Sequence, residues 1–164
     1  MFIEVPITKS MIKTAEEMGK DLGKLRNSVM NGERNTVAFL GEQIFLKGIG
    51  GEYKGLYDYD ILYDGKRYEI KSKERYNPPQ LGYDCTVFAY NTIQETDYYA
   101  FTSILKDYSK GWIVGYVLKE EFYKKAMFKP KGSLFENQLV AKGDAYQLLI
   151  SKLTQFQLPG ILTW

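Results

Sequence analysis

Residues 58–76 read DYDILYDGKRYEIKSKERY, and the reading of this stretch decides the fold. Asp64-Gly65 lies between two strand-like runs, and this dipeptide supplies the positive φ angles that a two-residue type I′ turn needs. With those two residues at the centre of the turn, the register follows by counting. Tyr63 faces Lys66, Leu62 faces Arg67, Ile61 faces Tyr68 and Asp60 faces Glu69; Tyr59 then faces Ile70, and Asp58 faces Lys71. Opposed residues share a sheet face, and so does every second residue along a strand. Asp58, Asp60, Glu69 and Lys71 are therefore expected on one face, with Tyr59, Ile61 and Ile70 on the other. Directly opposed carboxylates repel, so Asp60 and Glu69 are a costly pair unless a cation lies between them. Lys71 beside them could hold a water or stabilise charge that grows on a phosphate.

Working outward, the residues before the hairpin read as two helices. Met11, Ala15, Met18, Leu22, Leu25 and Val29 recur at four- and three-residue steps and form one apolar stripe over residues 10–30. Ser10 suits its start and Asn31-Gly32 its end. The stripe suits packing on the core or a seam between chains, so a homodimer or homotetramer is expected. A second helix is expected from Thr36 to Lys47, capped by Asn35 and closed by Gly48, Gly50 and Gly51. Val37, Leu40, Gly41, Ile44 and Phe45 make its buried face, and Glu42 sits at the edge of that face.

After the hairpin, Asn77-Pro78-Pro79 must be loop. Strands are expected at Cys85–Tyr90, Tyr98–Leu105 and Trp112–Leu118, then a short helix over Lys119–Met127. Tyr146, Leu148 and Ile150 alternate as in a strand, whereas Leu149, Leu153 and Phe156 suit a helix. The order is that of an α/β layered structure, a mixed sheet flanked by helices. The 164 residues suit one domain. Residues 1–32 form an N-terminal helical arm, 33–128 a core and 129–164 a C-terminal extension.

Composition narrows the chemistry. There is no histidine, which excludes Ser-His-Asp and Cys-His nucleophile systems and histidine zinc sites. Cys85 is the single cysteine, so neither an intrachain disulfide nor a thiolate zinc cluster can form. Carboxylates, lysine and a hard metal are what remain. The opening MFIEVPITKS lacks a leader pattern and no apolar run approaches a bilayer span, so a cytoplasmic protein with no membrane partner is expected. The net charge of +2 does not by itself point to nucleic acid.

Asp60, the apolar Ile61-Leu62 after it, and Glu69-Ile70-Lys71 resemble the PD-(D/E)XK nuclease superfamily, the restriction-endonuclease-like fold, in its phage or mobile-element form. Tyr59 stands where the proline of the family's name would be. The resemblance spans residues 36–118 in element order. It implies Asp60, Glu69 and Lys71 as catalytic residues, and Asp58, Asp60, Glu69 and the helix residue Glu42 as ligands of Mg²⁺, for which Mn²⁺ may substitute. It implies a metal-dependent DNA endonuclease of restriction or homing type, acting on double-stranded DNA in a bacterial or phage-infected cell. The alternatives are a junction resolvase, a phage nuclease of degradation or repair, or a catalytically inactive DNA-binding module. Asn91 and Gln94 are candidates to orient water or phosphate. Lys66, Arg67, Lys73, Arg75 and Tyr76 are candidates for DNA contact, with Gln80 and Tyr83 in the following loop and a second basic group at Lys124, Lys125, Lys129 and Lys131.

Overall fold

The computed structural model describes residues 1–26, 33–135 and 138–158, and only the backbone of 22–26 and 33–35. The described residues form a mixed α/β structure of two sheets and three α-helices. Strand β1 (Ile3–Pro6) leads into helices α1 (Lys9–Arg26) and α2 (Glu33–Gly48). Strands β2 (Glu52–Tyr53), β3 (Ile61–Tyr63) and β4 (Lys66–Arg75) follow, then β5 (Asp84–Phe88), β6 (Tyr98–Leu105) and β7 (Lys110–Leu118). Helix α3 (Lys119–Lys125) and strands β8 (Met127–Lys129) and β9 (Ala145–Leu149) complete the order. The larger sheet runs β1-β7-β6-β4-β3-β2; β4 and β6 are parallel and the other neighbours antiparallel. The smaller sheet runs β5-β9-β8.

The turn forms as its dipeptide dictates. Asp64 and Gly65 take φ of 50° and 73°, and Ile61, Leu62 and Tyr63 pair with Tyr68, Arg67 and Lys66. The pairing expected beyond Ile61 does not form. Strand β3 ends there, and the Asp60 amide donates to the Tyr68 carbonyl at 3.0 Å instead of pairing with Glu69. The Lys54 and Gly55 amides both donate to the Asp60 carbonyl, so the chain curls away from β4.

Helix α2 is buried between α1 and the larger sheet. Leu40 and Ile44 join Val5, Ala15, Ile104 and Ile113, while Phe45 packs with Ile61, Tyr68, Ile70 and Ala100. Its seat is close because residue 41 is glycine. A Cβ there would stand 1.7 Å from Ser72 Oγ and 2.7 Å from Thr102 Oγ1, two hydroxyls that bond to each other across β4 and β6. Helix α2 starts at Glu33, so Asn35 lies inside it and does not cap it.

Ala15 and Met11 of the apolar stripe pack against α2 within the chain, and Gln43 Nε2 donates to the Met11 carbonyl at 3.0 Å. The side chains of Leu22 and Leu25, together with Val29 and Asn31-Gly32, lie outside the described residues. The opposite face of the sheet carries Tyr99, Phe101, Trp112 and Val114. These are covered by Cys85, Val87 and Leu148 of the smaller sheet and by Phe122 of α3.

Two elements differ from expectation, and a third, open between strand and helix in the sequence, is a strand. Strand β5 stops at Phe88, and residues 89–93 form a 3-10 turn. Helix α3 stops at Lys125, because Ala126 is extended and Met127–Lys129 pair with β9. Tyr146 and Leu148 lie in β9, and Ile150 begins a 3-10 turn. Among the described residues no helix is long and apolar enough to cross a membrane.

Candidate active site

The short β3 builds the site. Where it ends, the Ile70 amide on β4 has no strand to bond, and Asp60 Oδ2 accepts it at 2.8 Å. A side-chain carboxylate thus completes the ladder and is held at the sheet edge, between the helix layer and the opposite face. Glu42 reaches it from α2, where the Gly41 contact sets the approach. Glu69 reaches it from β4, one residue before the amide that Asp60 holds. Lys71 Nζ donates to Glu69 Oε1 at 2.8 Å. Glu42, Asp60, Glu69 and Lys71 therefore meet, although the cross-strand pair invoked for Asp60 and Glu69 is absent.

The electrostatics of this corner are unbalanced, with three carboxyls beside one ammonium. Glu42 is 7% exposed and Glu69 6% exposed. Burial, then the neighbouring Asp60, pushes the proton affinity of both well above the ordinary carboxylate range. Burial raises Asp60 as well, opposed by the Ile70 amide. Glu42 Oε2 and Glu69 Oε2 are buried and accept no hydrogen bond. A buried carboxylate oxygen without a donor is costly, and a cation or a proton relieves it.

These hard oxygen donors fit Mg²⁺ by chemistry. The arrangement is not a finished cage. Among the described residues no three acidic, histidine or cysteine side chains are grouped closely enough to hold a metal ion as they stand.

Gln94, also buried, closes the site from above. Its Nε2 donates to the Tyr57 carbonyl at 2.7 Å and to Glu69 Oε1 at 3.3 Å, and its own Oε1 is unpartnered. Lys119 pins the segment that carries it by donating to the Thr92 and Gln94 carbonyls. Asn91 contributes its carbonyl to the Gln94 amide at 3.2 Å, which shapes the turn. Asp58 is engaged elsewhere, its Oδ1 accepting the Glu95 amide at 3.0 Å, so it ties the two rim loops together. Tyr53, which sequence reasoning missed, places its hydroxyl beside Glu42, and burial followed by that carboxyl raises it to about 12. Neither Lys119 nor Tyr53 carries a local sequence signal, because each acts on a residue far along the chain.

The cations expected to contact DNA do not form one cluster. Lys66 and Arg75 stand at opposite ends of β4, roughly 30 Å apart at about 3.3 Å per residue. Lys66 is exposed at the turn. Arg67 holds Asp97 through its Nε and Nη2 and keeps that carboxyl below its ordinary range. Lys73 is bonded to Asp84, and Arg75 to the Asp84 carbonyl with its guanidinium 4.7 Å over the Tyr83 ring. Tyr76 is 78% exposed, with Lys106 against its ring. In the second basic group, Lys124 and Lys125 pair with Glu121.

Lys71, Lys73 and Arg75 also line a cavity of about 990 Å³, together with Phe101, Phe135 and Lys142. No protein-family model matches this chain, and no curated protein is similar to it.

Proposed function

We propose that the protein is a metal-dependent DNA nuclease with a PD-(D/E)XK site on a restriction-endonuclease-like core. One observation carries this reading: Glu42, Asp60 and Glu69 meet beside Lys71, with two buried carboxylate oxygens that lack any donor. An ordinary surface hairpin has no reason to bury three carboxyls together.

Glu42, Asp60 and Glu69 would hold Mg²⁺, which when bound supplies charge neutralisation and polarises a phosphate oxygen. Lys71 places an ammonium next to the same oxygens, where it offsets negative charge that builds on the phosphate. The Ile70 amide fixes the orientation of Asp60, and Gln94 fixes that of Glu69 while covering it from water. Phosphodiester hydrolysis without histidine needs this set: hard oxygen donors, a fixed cation and a shielded pocket.

A second reading, an idle DNA-binding module on the same layers, is favoured by the lack of a finished metal cage among the described residues. A cleavage assay on supercoiled plasmid and on circular single-stranded DNA decides between them. Wild-type protein is expected to cut at least one of the two in Mg²⁺ and to be silent in EDTA, and Glu69→Ala is expected to be silent in both conditions. Binding of either DNA with no cutting of both in Mg²⁺ or Mn²⁺ establishes the idle module.

A further inference from the structure

We propose that the site acts on an unpaired DNA strand and not on intact duplex. This rests on the nuclease reading above and names its substrate class; it replaces the double-stranded substrate that the family resemblance implies.

The first observation is what the rim offers. Tyr57, whose carbonyl holds Gln94 over Glu69, leaves its ring 61% exposed. Tyr53, beside Glu42, is 41% exposed. Tyr90 precedes Gln94 in the 3-10 turn; it stacks on Phe88 at 5.8 Å with the rings within 5° of parallel, and is itself 72% exposed. Leu56 and Ile93 are exposed beside them in the same two loops. Those loops are tied to each other over the carboxylates by the Gln94–Tyr57 and Glu95–Asp58 bonds. Bare aromatic faces around a site receive bases that have left a stack, and a duplex keeps its bases inside.

The second observation is what the rim lacks. Duplex binding draws on many phosphate contacts from lysine and arginine. Here Arg67, Lys73, Arg75 and Lys119 are spent on Asp97, Asp84 and loop carbonyls, and Lys71 on Glu69.

The test separates strand choice from catalysis by measuring binding in Ca²⁺ by fluorescence anisotropy, with oligo(dT) and a blunt duplex of equal length as probes. Oligo(dT) is expected to bind at least about tenfold tighter, with a shallow salt dependence that reflects two or three phosphates. Tyr57→Ala and Tyr90→Ala should each lose roughly tenfold on oligo(dT), and Tyr57→Trp and Tyr90→Trp should restore it. Equal or tighter duplex binding overturns the proposal, as does indifference of oligo(dT) affinity to both alanine variants. It also falls if Tyr90→Ala changes only the sedimentation of the protein alone, because the ring then serves contact between copies. Cleavage of duplex with no strand preference leaves the nuclease reading standing and removes this one. Tight oligo(dT) binding with no cleavage of any DNA overturns both, because a strand that is bound and never cut is not acted on.

Discussion

Two charged corners share strand β4, two residues apart, and they are built in opposite ways. At Glu69–Lys71, three carboxyls meet one ammonium, and two carboxylate oxygens are buried without donors. At Lys73–Arg75, two cations meet one carboxylate, and Asp84 is engaged by both through its side chain and its carbonyl. The second corner leaves one buried donor, Arg75 Nε, without a partner, but its carboxylate is engaged by both cations and it joins β4 to β5, so its charges hold the two sheets together. The first corner is left with acceptors to spare, which is what a site needs and a structural pair avoids.

The largest effect expected from this contrast is on rate. Lys71→Ala should cut at least about a hundredfold more slowly than wild type in single-turnover cleavage, while binding DNA in Ca²⁺ nearly as well. Lys73→Ala, two residues on, should keep the rate within a few-fold. Equal losses in both variants would erase the distinction between the corners.

The next effect is on stability. Asp84→Ala leaves Lys73 without its carboxylate and removes the ion pair of Arg75, which keeps only the carbonyl of residue 84. Because those side chains are partly solvated, the cost is expected at about 2–3 kcal/mol and not the larger figure for full burial. For a chain of this size that lowers Tm by roughly 5–10 °C, read by calorimetry. An unchanged Tm would show that the second corner is not structural.

The smallest effect has the opposite sign. Glu42 holds its proton above the ordinary value of 4.5 in the folded state. A raised carboxyl adds stability that is complete below that value and is lost as pH rises. Metal-free Tm should therefore fall by a few degrees between about pH 5 and about pH 9, and Ca²⁺ should restore it. Glu42→Gln should flatten the profile and raise Tm at the alkaline end. A Tm that climbs with pH in this window would mean that the carboxyls are paired and not crowded.

The sequence made the local parts of this architecture legible, and the reason is range. Asp64-Gly65 dictates its own φ angles, so the register of Ile61 with Tyr68 follows from counting. The strands at 98–105 and 112–118 are apolar runs long enough to identify themselves. Asp60, Glu69 and Lys71 could be named from the hairpin register and Glu42 from the family resemblance, although the ladder pair of Asp60 with Glu69 on which that register rests never forms. The curl at Lys54 and Gly55 leaves Asp58, Tyr59 and Asp60 outside the strand, and no pattern in residues 58–76 announces it. The fate of Arg67, Lys73 and Arg75 was hidden for the same reason. Their partners Asp97 and Asp84 lie 30, 11 and 9 residues away and meet them only across the packed layers.

The Ile70 amide has a consequence for spectroscopy. Most amides in a central strand bond to a neighbouring carbonyl, which is chemically inert. This one bonds to the Asp60 carboxylate, whose electron density depends on what else it binds. Its proton resonance is therefore a built-in gauge of the charge in the corner. It should move when a cation arrives or a proton leaves, and its solvent exchange should track the same event without a dye, a label or a substrate.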